Sequence, residues 1–179
     1  MIYDLPTSLT IGDTEYPIRS DFRAVLDIIA ALNDPDLTDK EKSYVTLFIL
    51  YEDYTLIDDL EAALEKAMWF ISCGEPETKS TRKLMDWEQD FPLIVAPVNR
   101  VLGYECRACE YLHWWTFISA YYEVGECAFS TVVSIRDKKQ RGKKLESWEK
   151  EFYRNNRNTV DFKKKLSQAE QDEIDDIVG

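Results

Sequence analysis

The sequence is short of glycine, histidine and long apolar runs, and each shortage excludes a class of protein. It holds six glycines and one histidine among 179 residues. So little glycine argues against a turn-rich β sandwich, and neither the G-x-x-x-x-G-K nor the G-x-G-x-x-G phosphate-binding motif occurs. No apolar run approaches the roughly 20 residues that span a bilayer. Residues 1–10 lack a basic region followed by an apolar stretch, so we expect no signal peptide. We therefore expect the protein to be cytoplasmic.

The few residues that could carry metal or redox chemistry lie around one Cys-x-x-Cys pair. Cys106 and Cys109 form this pair, and His113 follows four residues after Cys109. On a helix they could begin a zinc site, with Cys73 or Cys127 as the fourth ligand. A second ligand pair is missing, and small buried side chains explain the same residues. We therefore expect no metal and no cofactor. Because no nucleophile motif accompanies the single histidine, we also expect no enzymatic activity and no catalytic residue.

Local patterns predict a mainly α-helical fold with a small N-terminal β-hairpin. Strands Leu9–Ile11 and Glu15–Ile18 flank Gly12-Asp13, which suits a type II′ turn. The first predicted helix begins after the cap Ser20, and the second begins at the capping box Thr38/Glu41. Further helices are predicted at about 58–72, 87–102, 107–122, 130–138 and 145–156, with a shorter one after Thr159. Another capping box, Ser167/Glu170, opens a final acidic turn, and Pro97 should kink or split the fourth helix. We assign residues 1–139 to the hairpin and helical core, and residues 140–179 to a charged helical C-terminal extension.

Charge is distributed unevenly along this acidic chain, whose net charge is −12. Residues 1–135 hold 10 basic and 24 acidic side chains, residues 136–165 hold 12 and 5, and residues 166–179 hold none and 5. The middle segment could bind phosphates, but the acidic body opposes nucleic acid. Contact with an acidic protein surface, including that of another copy, is favoured. The candidate partner-binding residues of this segment are Arg136, Lys138, Lys139, Arg141, Lys143 and Lys144.

The densest aromatic stretch runs from Tyr111 to Tyr122. A helix that is apolar nearly all round is either a central core helix or one with a face kept for a partner, and the core alternative is favoured. Trp114 and Trp115 remain candidate partner-binding residues. They point about 100° apart on a helix, so they should not face the same narrow groove.

Several fragments, in order, resemble one known family. They are Tyr16-Pro17-Ile18 with Asp21-Phe22-Arg23, Trp69-Phe70 with Cys73-Gly74, Asp86-Trp87-Glu88-Gln89-Asp90, Leu112-His113-Trp114-Trp115-Thr116-Phe117, and Ile135-Arg136. From about Tyr16 to Tyr153 the chain resembles the bacteriophage gene-product-fifteen family of tailed phages and prophages of Gram-positive hosts. The Leu112–Phe117 string is the most specific fragment. Pro97 and the end of the chain from about Thr159 depart from the family pattern.

The resemblance implies a tail assembly chaperone. The gene in such phages usually lies between those for the major tail protein and the tape measure protein. The implied protein is non-enzymatic, acts in the host cytoplasm and is absent from the mature virion. Its implied partners are the tape measure protein, the major tail tube protein and further copies of itself, with no membrane partner. Two alternatives remain open: a nucleic-acid-binding or regulatory phage module that acts through residues 136–165, and a minor virion structural protein.

Overall fold

The computed structural model of the protein describes residues 4–75 and 82–163, together with Ser167, Glu170 and Asp172. Within these residues the chain is mainly α-helical, with eight α-helices and one two-stranded hairpin, as predicted. The described residues form two compact units. The first contains residues 4–75 and 113–115 with Ser167, Glu170 and Asp172, and the second contains residues 82–112 and 116–163. Residues 140–163 are grouped with residues 82–112, and the predicted boundary at residue 139 stays a prediction.

The first unit begins with the hairpin of β1 (Ser8–Ile11) and β2 (Thr14–Pro17), in which Leu9 lies opposite Tyr16. Gly12 adopts a φ of 59°, as the predicted turn requires. Helices α1 (Phe22–Leu32), α2 (Asp39–Leu50) and α3 (Leu60–Ile71) follow, with a short 3₁₀ helix at Tyr54–Leu56. The largest fully buried side chains of this unit are Phe22, Ile28, Leu50, Tyr51 and Phe70.

Two of the predicted N-terminal caps have different outcomes. The Thr38/Glu41 capping box of α2 is confirmed, because Glu41 N donates to Thr38 Oγ1 and Thr38 N donates to Glu41 Oε2. The prediction that Ser20 caps α1 is wrong. Asp21 is the cap and accepts from Arg23 N at 3.0 Å. A carboxylate at this position also complements the positive end of the helix dipole, which a hydroxyl does less well.

The second unit contains α4 (Trp87–Leu102), α6 (Ala128–Gln140), α7 (Ser147–Asn155), α8 (Arg157–Val160) and most of α5 (Trp114–Tyr122). Asp86 caps α4, and Gly103 ends it with a φ of 80°, as predicted. Pro97 does not split α4, which continues through it with the proline ring buried. The predicted short helix after Thr159 starts earlier, at Arg157, and ends at Val160.

The predicted start of the fifth helix, at residue 107, is wrong. Helix α5 begins at Trp114, and residues 103–112 form turns. The side chain of Asn99 accepts from Cys106 N at 2.8 Å and donates to Glu105 at 2.8 Å. Glu105 in turn accepts from Arg107 N at 3.0 Å. These side-chain hydrogen bonds to the backbone hold the segment in a turn and compete with helix formation.

The predicted capping box of Ser167 and Glu170 is present, since the two residues exchange its hydrogen bonds. The acidic turn that should follow it lies largely outside the described residues. None of the helices in the described part of the chain is long and apolar enough to cross a membrane.

Candidate interaction surfaces

The two adjacent tryptophans, Trp114 and Trp115, cap the C-terminal end of α3 within the first unit. Trp114 Nε1–H donates to Ile71 O at 2.8 Å, and Trp115 Nε1–H donates to Phe70 O at 2.9 Å. The last carbonyls of a helix have no partner within the helix, so these indoles satisfy them. Both indoles thus reach the same helix terminus, and the expectation that they do not face the same narrow groove of a partner stays a prediction.

His113 connects the same stretch to the start of the chain. Its Nδ1 accepts from Trp115 N at 3.0 Å, which requires a neutral ring with the proton on Nε2. Nε2–H then donates to Pro6 O at 2.9 Å. Burial lowers the pKa of His113, while the hydrogen bond to Pro6 opposes this effect. The backbone of Trp114 donates to Ser20 O at 2.8 Å. These bonds place residues 113–115 in the core of the first unit.

Burial limits what the two candidate tryptophans can contact. Trp114 is 2% exposed, and Trp115 is partly buried and stacked on Phe70 with ring centroids 6.1 Å apart. The central part of α5 is also core, with Phe117 fully buried, whereas Tyr122 is exposed. The aromatic stretch is therefore mostly a core element, and the capping bonds explain why two tryptophans stand side by side.

The cysteines are free thiols. Cys106 is fully buried, and Cys109 Sγ donates to Cys106 O at 3.0 Å. Burial raises the pKa of Cys73 to about 11, and the charge of Glu75 adds to this shift. In the described ranges no group of three or more His, Cys, Asp and Glu side chains is placed to hold one metal ion. The buried thiols have the environment of small apolar core residues.

Arg136, the first candidate of the basic segment, is the centre of a buried polar cluster in the second unit. Its side chain is 3% exposed, and that of its partner Asp90 is fully buried. Nη1 and Nη2 donate to the two carboxylate oxygens of Asp90 at 2.6 and 2.9 Å, a bidentate pair. Arg136 also donates to the carbonyls of Leu84, Thr159 and Val160. This side chain joins α4, α6 and the end of α8 and is not part of the surface.

The residues that follow α8 are held by the same cluster. Gln89 Nε2 donates to Asp161 O at 2.9 Å, and Lys163 N donates to Gln89 Oε1 at 2.9 Å. The centroid of the Phe162 ring lies 4.1 Å from the Arg136 guanidinium carbon, a cation–π contact. Val160 is buried beside Val132 and Ile135 of α6. We refer to residues 159–163, which are the last two residues of α8 and the three that follow it, as the C-terminal strap.

Several other candidate cations of the basic segment form ion pairs within the second unit. Lys138 Nζ lies 2.6 Å from Glu149, Lys139 Nζ 2.5 Å from Asp161, and Arg141 Nε 2.9 Å from Asp137. By contrast, Lys143 and Lys144 are exposed, and within the described ranges no ion pair is recorded for either, nor for Lys150 and Arg154. The basic segment therefore has fewer exposed cations without an acidic partner than its sequence indicated.

The first unit carries an exposed aromatic cluster that the sequence analysis missed. Tyr44 and Phe48 of α2 are 53% and 58% exposed, and Leu56 is 66% exposed. Tyr54 joins them, because its ring centroid lies 5.3 Å from that of Tyr44 and 6.0 Å from that of Phe48. We call Tyr44, Phe48 and Tyr54, with the exposed Leu56 of the same 3₁₀ helix as Tyr54, the α2 aromatic surface. The available signal was spacing: Tyr44 and Phe48 are four residues apart, on the side of α2 away from Thr46, Leu47 and Leu50, the residues it buries.

A groove between α1 and α2 adjoins this surface. It has a volume of about 500 Å³, and its lining residues are Arg19, Asp21, Ala24, Asp27, Phe48 and Ile49. The Arg19 guanidinium is already engaged, because it donates to carbonyls at the end of α2. The stretch 4–75 holds 5 basic and 16 acidic side chains, a net charge of −11. The α2 aromatic surface thus lies in a strongly acidic unit.

Comparison with known proteins identifies a family and no individual relative. No curated protein and no solved structure matches the chain. The family described as "Bacteriophage Gp15 protein" matches residues 1–162 of the 179. The match spans both compact units and ends at Phe162, the strap residue that covers Arg136. The chain therefore belongs to the Bacteriophage Gp15 protein family.

Proposed function

We propose that the protein is a tail assembly chaperone of a tailed phage or prophage. In this role it binds the tape measure protein and recruits major tail tube subunits in the host cytoplasm, without catalysing a reaction. The observation that carries the proposal is the family match over residues 1–162, because the resemblance to this family implies that role.

The charge and surface of the first unit support a binding role. A long, largely helical tape measure chain would expose apolar stripes before a tail tube surrounds it. Side chains such as Tyr44 and Phe48 can cover apolar surface, while a net charge of −11 in residues 4–75 keeps the resulting complex soluble. Many copies bound along one chain gain from multivalency, so we also propose that the protein forms a homo-oligomer.

Co-expression tests this role. The tagged protein is produced in bacteria together with the tape measure and major tail proteins of the same phage, and each pair is tested by pull-down. We expect the tape measure protein to be soluble and retained only when the chaperone is present. Mass spectrometry of purified virions should not detect the chaperone. A tape measure protein that is equally soluble alone and is not retained contradicts the role, and abundant chaperone in virions favours a minor structural protein instead.

A second candidate function is favoured by the exposed cations of residues 143–154. Lys143, Lys144, Lys150 and Arg154 are exposed and could contact phosphates, as a nucleic-acid-binding phage module requires. These four cations are a third of the 12 basic residues in the segment 136–165. A gel-shift assay at low salt with DNA and RNA decides the point, since salt-sensitive binding is expected of such a module and its absence removes this candidate.

A further inference from the structure

We propose that the α2 aromatic surface of one copy binds the exposed face of α7 of a second copy. This inference deepens the proposed self-association, and in that respect it rests on the proposed function. The contact joins the first unit of one molecule to the second unit of the next.

The receiving face combines apolar area with negative charge. Tyr44, Phe48 and Leu56 are each more than half exposed, and ring contacts to Tyr54 hold the aromatic side chains in place. The adjoining groove is open to solvent, and Asp27 at its lining is exposed. An exposed apolar cluster with a polar rim is typical of a protein interaction site.

The donating face is the outer side of α7 and the loop before it. Helix α7 turns Glu149 inwards, where it is 1% exposed and bound to Lys138, and it packs Phe152 and Tyr153 against the core. With about 100° between successive residues, Lys150, Glu151 and Arg154 then lie on the outer side, and the 56% exposed Trp148 borders it. The loop adds the exposed Lys143 and Lys144.

A second copy fits the receiving face because the charges and the apolar side chains of the two faces are complementary. Between Lys143 and Arg154 the exposed charges are four cations and two carboxylates, Glu146 and Glu151, a net charge of +2, whereas residues 4–75 carry a net charge of −11. Opposite potentials steer association and fix its orientation. The two faces are different surfaces of one chain, so the contact is heterologous and extends into rings or helical filaments.

Two variants that each lose one face test the proposal. Tyr44→Ala with Phe48→Ala removes the receiving face, and Lys150→Glu with Arg154→Glu reverses the donating face. All four side chains are exposed, so folding should persist, and circular dichroism checks it. Sedimentation velocity of the purified chain at tens of micromolar is the measurement. We expect wild-type protein to associate and each variant to lose at least about tenfold in self-affinity.

Mixing the two variants gives the sharpest result. The first variant keeps only its donating face, and the second keeps only its receiving face. One copy of each can therefore bind the other, but neither has a second intact face, so an equimolar mixture should form heterodimers and nothing larger. The control variants Tyr122→Ala and Lys66→Glu, which change an exposed aromatic ring and an exposed charge outside both faces, should associate like wild type. A monomeric wild type, variants that associate normally, or a mixture without heterodimers overturns the proposal.

The measurement uses the chain alone, so its failure and a failure of the proposed function are distinguishable. If the faces do not bind each other while the tape measure protein is still retained in pull-down, the contact between copies is wrong and the chaperone role stands. If copies associate through these faces but no tail protein is retained, the chaperone role fails and the contact stands.

Discussion

The side chain of Arg19 caps the C-terminal end of α2. Its guanidinium donates to Phe48 O, Ile49 O and Tyr51 O at 3.1, 3.0 and 2.6 Å, and to Glu52 O at 3.2 Å. These carbonyls lie at the C-terminal end of α2, where a cation also complements the helix dipole. Without Arg19, several of them lose their partner.

We expect Arg19→Ala to lower the free energy of unfolding by about 1–3 kcal/mol. A hydrogen bond from a charged donor contributes about this much, and the four bonds of Arg19 together contribute no more because the site is exposed and water can replace them. Arg19→Lys should recover only part of this loss, because an ammonium lacks the planar fork that reaches several carbonyls. Urea denaturation is the measurement, and Lys66→Ala on the exposed side of α3 is the control. Equal stability of Arg19→Ala and wild type would show that water replaces the guanidinium.

His113 gives the first unit a defined pH response. Burial lowers its pKa below the ordinary value of 6.5, so the unfolded chain takes up the proton first as the pH falls. The contribution of neutral His113 to stability is therefore complete above pH 6.5 and declines as the pH falls below it. Protonation of Nδ1 also removes the acceptor for Trp115 N.

We expect the unfolding free energy of wild type to decrease between pH 7.5 and 5.5, as the ordinary histidine pKa near 6.5 dictates. His113→Gln should be less stable at pH 7.5 but should lose this pH dependence. Denaturant titrations at several pH values measure both. An identical slope in the two proteins would assign the pH response to groups other than His113.

At the scale of elements, the Asp90–Arg136 pair connects α4, α6 and the C-terminal strap. Arg136→Met leaves a buried carboxylate without its cation and three carbonyls without their donor. Breaking one side of a buried pair typically costs about 3–5 kcal/mol, and we expect that range here. The double variant Asp90→Asn, Arg136→Met should be more stable than Arg136→Met alone, because it leaves no unpaired buried charge.

The control for this pair is Arg141→Met, which removes an arginine from the exposed ion pair with Asp137. Exposed pairs contribute little, so its unfolding curve should nearly coincide with that of wild type. If the double variant proves no more stable than Arg136→Met, the cost lies in the lost carbonyl bonds and not in the buried carboxylate of Asp90.

Local signals predicted most helices of this fold because their caps are sequence-local. Asp86 and Gly103 mark both ends of α4, and Thr38 with Glu41 marks the start of α2. The start of α5 was not predictable in this way, because Asn99, a residue of the preceding helix, fixes the turn at Cys106. The capping of α3 by Trp114 was equally hidden, since it depends on contacts between residues 43 positions apart.

At the scale of the whole molecule, charge arithmetic predicted an asymmetry but overstated the exposed part of it. The sequence places a net charge of +7 in residues 136–165, yet Arg136, Lys138, Lys139 and Arg141 have acidic partners in the same unit. A linear count cannot distinguish a cation that pairs within the fold from one that faces solvent. The exposed remainder at residues 143–154 is what the proposed contact between copies uses.

The family match and the strap end together, which predicts where the chain can be shortened. The match stops at Phe162, and the strap bonds of Arg136 and Gln89 reach as far as Lys163. A chain of residues 1–163 keeps all of these contacts. A chain of residues 1–156 loses α8 and the strap, and it exposes the apolar site between α6 and its neighbours that Val160 fills.

We therefore expect residues 1–163 to retain slow amide hydrogen exchange in α4 and α6, and residues 1–156 to lose it, while α1 to α3 of the first unit remain protected in both. Exchange followed by mass spectrometry measures each helix separately. Full-length Val160→Asp provides a matched variant, because a carboxylate in this apolar site should reproduce the loss without removing any chain. Normal protection of α6 in residues 1–156 would mean that the second unit is stable without its strap, through the Asp90–Arg136 pair and the packing of Leu93 against α6.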